Sequence, residues 1–220
     1  MSLPVPASAL LAVCAMIASL PAAWGQDLPR LRVSKDRRSL ETAGGRPFLY
    51  LADTAWELFH RLSREEALHY LAKRKAQGFT AVQAVAVAEL KGVDEANANG
   101  DLPFENRDFT KPAEKYWEHV DFIIGAANER GLYVGLLPTW GGWVQGAKGR
   151  QDEPLLTPQN ARQFGEFLGR RYGRKAVIWI LGGDRTAGGM EETWRALAAG
   201  IEKTAGSDSL MTFHPRGSET

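Results

Sequence analysis

The chain has 220 residues, is 44% hydrophobic and 24% charged, and carries a formal net charge of +1. That composition supports one globular core. Its near-neutral balance excludes a general electrostatic attraction to nucleic acid or to an anionic membrane.

Residues 1–25 contain no charged side chain, and Leu10 to Leu20 is an apolar run followed by Pro21 and Ala23-Trp24-Gly25. A short hydrophobic region before a small-x-small site reads as a secretory signal rather than a membrane span. The expected product is secreted or periplasmic, with no membrane attachment after cleavage. The single cysteine, Cys14, falls inside this segment. The mature chain would therefore use neither disulfides nor thiol chemistry.

Leu31 to Thr42 reads as a small hairpin, and Gly44-Gly45 punctuates before Pro47. Phe48 to Ala52 is the expected first core strand, ending in Asp53-Thr54-Ala55-Trp56-Glu57. Ser63-Arg-Glu-Glu66 has the form of a capping box and opens a helix from about Arg64 to Gln77, closed by Gly78. Phe79 to Ala88 is the second strand; it contains Gln83 and ends near Glu89.

A polar loop from Leu90 to Thr110 follows. Its oxygen-rich stretch Asp94 to Asp101 lacks the positions of a twelve-residue calcium loop, so no metal is expected. Pro112 suits the first position of the next helix, which carries Tyr116, Val120, Ile123, Ile124 and Ala127 as its apolar stripe. Leu132 to Leu137 is the third strand, ending in Pro138-Thr139-Trp140-Gly141-Gly142-Trp143. Thr157-Pro158 opens a third helix to about Tyr172. Val177 to Leu181 is continuously apolar, as a parallel strand covered on both faces should be, and delivers Gly182-Gly183-Asp184 at its carboxyl end. A fourth helix spans about Met190 to Thr204, and Ser209 to His214 is a fifth strand.

Alternation of strand and helix gives an α/β fold with a parallel sheet. Both a doubly wound sheet and an eightfold barrel fit this order. The first strand lacks the glycine-rich turn of a nucleotide fold, and polar or aromatic residues follow every strand end. That distribution favours a (β/α)8 barrel whose loops share one site, with about five of its strands present. A whole barrel usually takes about 250 residues, so the chain is expected to be truncated.

No thiol, nucleophile elbow or paired metal-binding histidines are evident. His69 and His119 fall inside helices, where structural roles are the default, and His60 stays open. The carboxylates Asp53, Glu57, Glu89 and Asp184 remain, and two carboxylates flanking a glycosidic bond are what sugar hydrolysis needs. Spacing alone assigns them no roles. Asp53-Thr54 reads equally as a cap on the turn that follows; a capping or ion-paired Asp184 near Arg185 is the lesser alternative to a chemical role. The seven tryptophans offer planar faces for sugar rings, but on count alone the core role is the default.

Six separated motifs, in order, carry a family resemblance. They are Gly45-Arg-Pro-Phe48, Leu51-Ala-Asp53-Thr-Ala-Trp56-Glu-Leu-Phe59, Asn106-Arg-Asp-Phe109-Thr-Lys-Pro112, Pro138-Thr-Trp140-Gly, Trp179-Ile-Leu-Gly-Gly-Asp184 and Phe213-His214-Pro215-Arg-Gly217. Together they resemble the apiosidase-like glycoside hydrolases, family 140, from about Leu31 onward. The resemblance implies a (β/α)8 catalytic barrel, of which residues 26–220 would be the N-terminal portion. It also implies cofactor-free release of apiose from a pectic side chain (rhamnogalacturonan II). Asp184 matches the general acid/base of that family. The family nucleophile is a Glu on a later strand, which these five strands do not include. Asp53, Trp56, Gln83, Trp140 and His214 are carried as candidate substrate contacts. A catalytically inactive, carbohydrate-binding or non-functional barrel fragment is the alternative. The oligomeric state is not implied.

Overall fold

The computed structural model describes residues 28–144 and 155–217. The expected signal segment, with Cys14, lies outside the described residues.

A three-stranded antiparallel sheet comes first: β1 (Leu31–Val33), β2 (Leu40–Thr42) and β3 (Pro47–Phe48), in that order. The five-stranded parallel sheet follows: β4 (Ala52–Thr54), β5 (Ala81–Val85), β6 (Tyr133–Leu137), β7 (Val177–Gly182) and β8 (Met211–His214). Its spatial order is β4-β5-β6-β7-β8, the same as the chain order. A doubly wound sheet must reverse direction at a switch point. Here each strand is added on the same side as the last, the arrangement of a barrel wall. The chain thus forms five consecutive strands of a (β/α)8 barrel fold.

The helices are α1 (Leu58–Arg61), α2 (Arg64–Ala76), α3 (Glu114–Glu129), α4 (Pro158–Tyr172) and α5 (Glu191–Ala205). Ser63 caps α2 as expected: its Oγ accepts from the Glu66 amide at 3.3 Å, and the Glu66 carboxylate accepts from the Ser63 amide at 2.8 Å. Such a cap contributes about 1 kcal/mol. Helix α3 begins two residues after Pro112 rather than on it, because the Phe104–Pro112 bridge holds Pro112 in extended backbone. Helices α4 and α5 press together through glycines. A Cβ on Gly165 would lie 2.3 Å from the Leu197 carbonyl oxygen, and one on Gly200 would lie 2.2 Å from that of Arg162.

One expected strand is displaced. The apolar run Phe48 to Ala52 does not form a single core strand. Phe48 pairs with Leu40 in the antiparallel sheet, and the core strand starts only at Ala52. Between them the chain changes sheets, leaving Leu49 73% exposed. Thr80 holds this crossing: its Oγ1 donates to the Leu49 carbonyl at 2.7 Å and accepts from the Leu51 amide at 2.9 Å.

The main core lies between the parallel sheet and its helices. Trp117, Phe104, Phe109 and Phe164 form an edge-to-face and tilted aromatic cluster there, with ring centroids 4.2–6.1 Å apart. A smaller core of Leu31, Ala81, Tyr133 and Ile178 seals the sheet against the N-terminal segment. The Tyr133 hydroxyl donates to the Pro29 carbonyl at 2.5 Å.

Candidate active site

Strand β7 ends in three consecutive residues with positive φ: Gly182 (+94°), Gly183 (+118°) and Asp184 (+50°). Glycine is required at the first two positions by packing as well as by dihedral. A Cβ on Gly182 would stand 2.3 Å from the His214 carbonyl oxygen, and one on Gly183 would stand 2.9 Å from the Trp140 ring. The bare backbone lets the ends of β6, β7 and β8 approach closely. Aspartate tolerates the left-handed region better than most residues. The turn therefore presents the Asp184 carboxylate at the carboxyl end of the sheet, with its side chain 55% exposed.

Three rings gather beside it. Trp56, from the loop after β4, lies 5.5 Å from Trp140 and 5.6 Å from His214 between centroids. Trp140 and His214 are 5.9 Å apart. Trp140 is fully packed, whereas Trp56 is half-buried and keeps area free for a ligand. His214 Nδ1 accepts from the Asp184 amide at 3.3 Å and lies 3.6 Å from the Asp184 Oδ1. Four of the six residues singled out in the sequence thus converge from four strand ends.

Gln83 sits one layer deeper, on the inner face of β5. It lines a groove of about 450 Å³ together with Tyr50, Ile178, Ile180, Phe213 and His214. Gly135 clears room there: a Cβ would lie 2.8 Å from the Tyr50 hydroxyl and 2.9 Å from Ile180. His214 belongs both to this groove and to the ring cluster, so it joins the two. Sequence reasoning missed Tyr50. The available signal was a lone hydroxyl inside the apolar run Phe48 to Ala52.

Asp53 requires a correction. In the register it pairs with Val82, so it faces the helices, while Thr54 shares the inward parity of Gln83. Its carboxylate accepts from the Tyr70 hydroxyl at 2.7 Å and from Arg74 Nε. Burial pushes the Asp53 carboxyl up, but the bonds from Tyr70 and Arg74 and the Arg74 charge outweigh it and hold the group below its ordinary range. The Tyr70 hydroxyl is pushed up to about 12 by burial and by its bond to Asp53. This is a strand-to-helix clamp, away from the ring cluster.

Of the other candidates, Glu57, His60 and His119 are engaged structurally. Glu57 bonds His60 Nδ1 at 3.2 Å and Arg61 Nε at 3.1 Å. His60 is buried, with Nε2 3.1 Å from the Glu95 carbonyl. His119 is buried between Asn99 at 2.8 Å and the Leu62 carbonyl at 3.1 Å. His69 is exposed on α2, and Glu89 is half-buried beyond β5. In the Asp94 to Asp101 loop, Asn97 Oδ1 accepts from the amides of Asn99 and Asp101, and Asp94 pairs with Arg107 at 3.0 Å. Among the described residues no group of three or more His, Cys, Asp or Glu could hold a metal ion.

Residues 34–220 match the family model described as "Apiosidase-like, catalytic domain". A comparison with curated proteins returned no match. Among solved structures, a glycoside hydrolase family 5 protein from Bacteroides vulgatus is 34% identical, with a TM-score of 0.74, covering 86% of this chain and 40% of that one. A second protein, described as a glycoside hydrolase, is 32% identical with a TM-score of 0.73, covering 86% of this chain and 41% of that one. The catalytic domain of a Thermobifida fusca endoglucanase shares the fold at 13% identity and a TM-score of 0.53, covering 85% of this chain and 54% of that one. The chain spans about 40% of the length of the first two.

Proposed function

Since the chain belongs to the apiosidase-like family of catalytic domains, we propose that it provides the acid/base half of a secreted retaining glycoside hydrolase acting on pectic side chains. The observation that carries this reading is the placing of Asp184 at the carboxyl end of β7 beside Trp56, Trp140 and His214. Barrel enzymes collect their chemistry at that end.

In the first step the Asp184 carboxyl gives its proton to the glycosidic oxygen as the anomeric C–O bond breaks. A second carboxylate forms a bond to the anomeric carbon, giving a glycosyl-enzyme. In the second step Asp184 takes a proton from water, whose oxygen displaces that carboxylate. Retention places the two carboxyls about 5 Å apart. The family resemblance assigns the partner carboxylate to a Glu on a strand beyond these five. Trp56 offers its free face to the sugar. The apolar segment before Gln26 supports export, and apiose release is the reaction associated with this family.

The test is Asp184→Asn in the complete protein. General acid/base loss should lower turnover of a natural oligosaccharide by about 10²–10⁴-fold, with the fold retained. Unchanged turnover would remove Asp184 from the mechanism. A second reading, sugar binding without hydrolysis, is favoured by the half-buried Trp56 ring beside Trp140 and His214, which suits sugar stacking without chemistry. Calorimetric binding of pectic oligosaccharide with no product released would establish it.

A further inference from the structure

We infer that His214 is the positioning residue for Asp184, acting through the backbone of the Gly182-Gly183-Asp184 turn rather than by touching the sugar. The inference rests on the acid/base reading of Asp184.

His214 grips the turn at two successive amides. Its carbonyl oxygen accepts from the Gly183 amide at 2.9 Å, and its Nδ1 accepts from the Asp184 amide at 3.3 Å. A nitrogen that accepts carries no proton, so the neutral ring has its proton on Nε2. The imidazole is itself held in place. Trp56 meets it edge-on at an interplanar angle of 83°, and Trp140 is tilted against it at 43°. The grip has a purpose, because the turn is otherwise weakly determined. Two of its three residues are glycines, and all three have positive φ. The Asp184 side chain is more than half exposed, and among the described residues no donor binds its carboxylate, whose Oδ1 lies 3.6 Å from the same unprotonated Nδ1. Without His214, little fixes where the carboxyl points. A proton donor must sit within about 3 Å of the leaving oxygen, and a displacement of about 1 Å costs on the order of 10²-fold in rate.

The charged group nearest this turn on its own segment is Arg185, whose Nη1 donates to the Asp184 carbonyl at 2.9 Å. It binds the carbonyl side of the residue and leaves the amide to His214.

The experiment compares two replacements in the complete protein. His214→Asn keeps an acceptor near the Nδ1 position, and His214→Phe keeps the ring between Trp56 and Trp140 without the acceptor. Each is assayed on a natural oligosaccharide, which needs acid assistance, and on an activated aryl glycoside, which does not. His214→Phe should lose about 10²-fold in kcat on the oligosaccharide with KM little changed, keep its kcat/KM on the aryl glycoside, a ratio that excludes the later base-assisted release of the glycosyl-enzyme, and be rescued by His214→Asn. Equal losses on both substrates by both variants would mean that His214 contacts the sugar or merely supports the fold, and would overturn the inference. Wild-type behaviour of His214→Phe would overturn it too.

Asp184→Asn, run in parallel, separates the two ideas. If it retains full oligosaccharide turnover, the acid/base reading itself fails, whatever His214 does. Should His214→Phe not fold, amide hydrogen exchange in the wild-type protein decides: the Asp184 amide should be protected despite its exposed side chain, and exchange at the free-peptide rate would refute the grip.

Discussion

Replacing Gly183 by alanine probes the junction on which the site depends. The residue has φ +118°, and an added Cβ would lie 2.9 Å from both the Trp140 ring and the Gly141 amide nitrogen. Holding an L-residue in left-handed backbone costs roughly 1–2 kcal/mol. Forcing a methyl into packed surroundings costs about 1–3 kcal/mol more. Alanine regains only about 0.4–1 kcal/mol by restricting the unfolded chain. The net expectation is a loss of about 1–5 kcal/mol, a large share of the roughly 5–15 kcal/mol typical of a domain. Gly45→Ala isolates the backbone contribution, because Gly45 has φ +81° and no atom within 4 Å of its added Cβ. Urea unfolding followed by tryptophan fluorescence would measure both variants against the wild type. The difference between the two is the steric cost of approaching Trp140. A Gly183→Ala protein as stable as Gly45→Ala would refute the claim that close approach of β6 and β7 requires glycine there.

Asp53→Asn should destabilise the protein by about 1–3 kcal/mol at neutral pH, since it removes a charged acceptor from Tyr70 and Arg74. The native Asp53 carboxyl lies below its ordinary value, so its stabilisation is present above about pH 4 and is lost as pH falls through the lowered value. Urea midpoints of the two proteins should converge in acid, and a constant gap would contradict the clamp. The two buried histidines should behave oppositely. The Glu57 hydrogen bond raises His60, with burial opposing, so its contribution is full below about pH 6.5 and fades as pH rises through the raised value. Burial lowers His119, so its contribution is present above about pH 6.5 and is lost as pH falls through the lowered value. Urea midpoints of His60→Gln and His119→Gln across pH would show the two trends, and parallel curves would exclude them. Gly165→Ala should destabilise by about 1–2 kcal/mol, because overpacking against the Leu197 carbonyl exceeds the helix-propensity gain of up to about 1 kcal/mol. A raised Tm would refute it.

What could be read in the sequence was what depends on neighbours in the chain. The Ser63–Glu66 cap is a four-residue device, and its hydrogen bonds form as its spelling dictates. The run Val177 to Leu181 is apolar at every position because both of its faces are covered, and it emerged as β7 extended by one glycine. Phe48 to Ala52 looks the same locally, yet it serves two sheets. No residue in the run marks the crossing; it is fixed by Thr80, in a different part of the chain.

The site shows the same limit at one remove. Polar and aromatic residues after each strand were visible, and a barrel implies that such residues meet. Which of them meet depends on strand register, a pairing between distant segments. A shift of one residue along β4 exchanges the inward and helix-facing sets. That is why Asp53, in a motif that reads as functional, turns to Arg74, while its neighbour Thr54 takes the inward parity. Asp184 escapes this ambiguity because it lies beyond the last paired residue of β7, where two glycines rather than the pleat set its direction. The same freedom leaves its orientation undetermined by β7 itself. The orienting contact therefore comes from the next strand, through His214. On this reasoning the Asp184 carboxyl and the residue proposed to aim it belong to adjacent strands, and the pairing of Gly182 with His214 fixes the geometry of both.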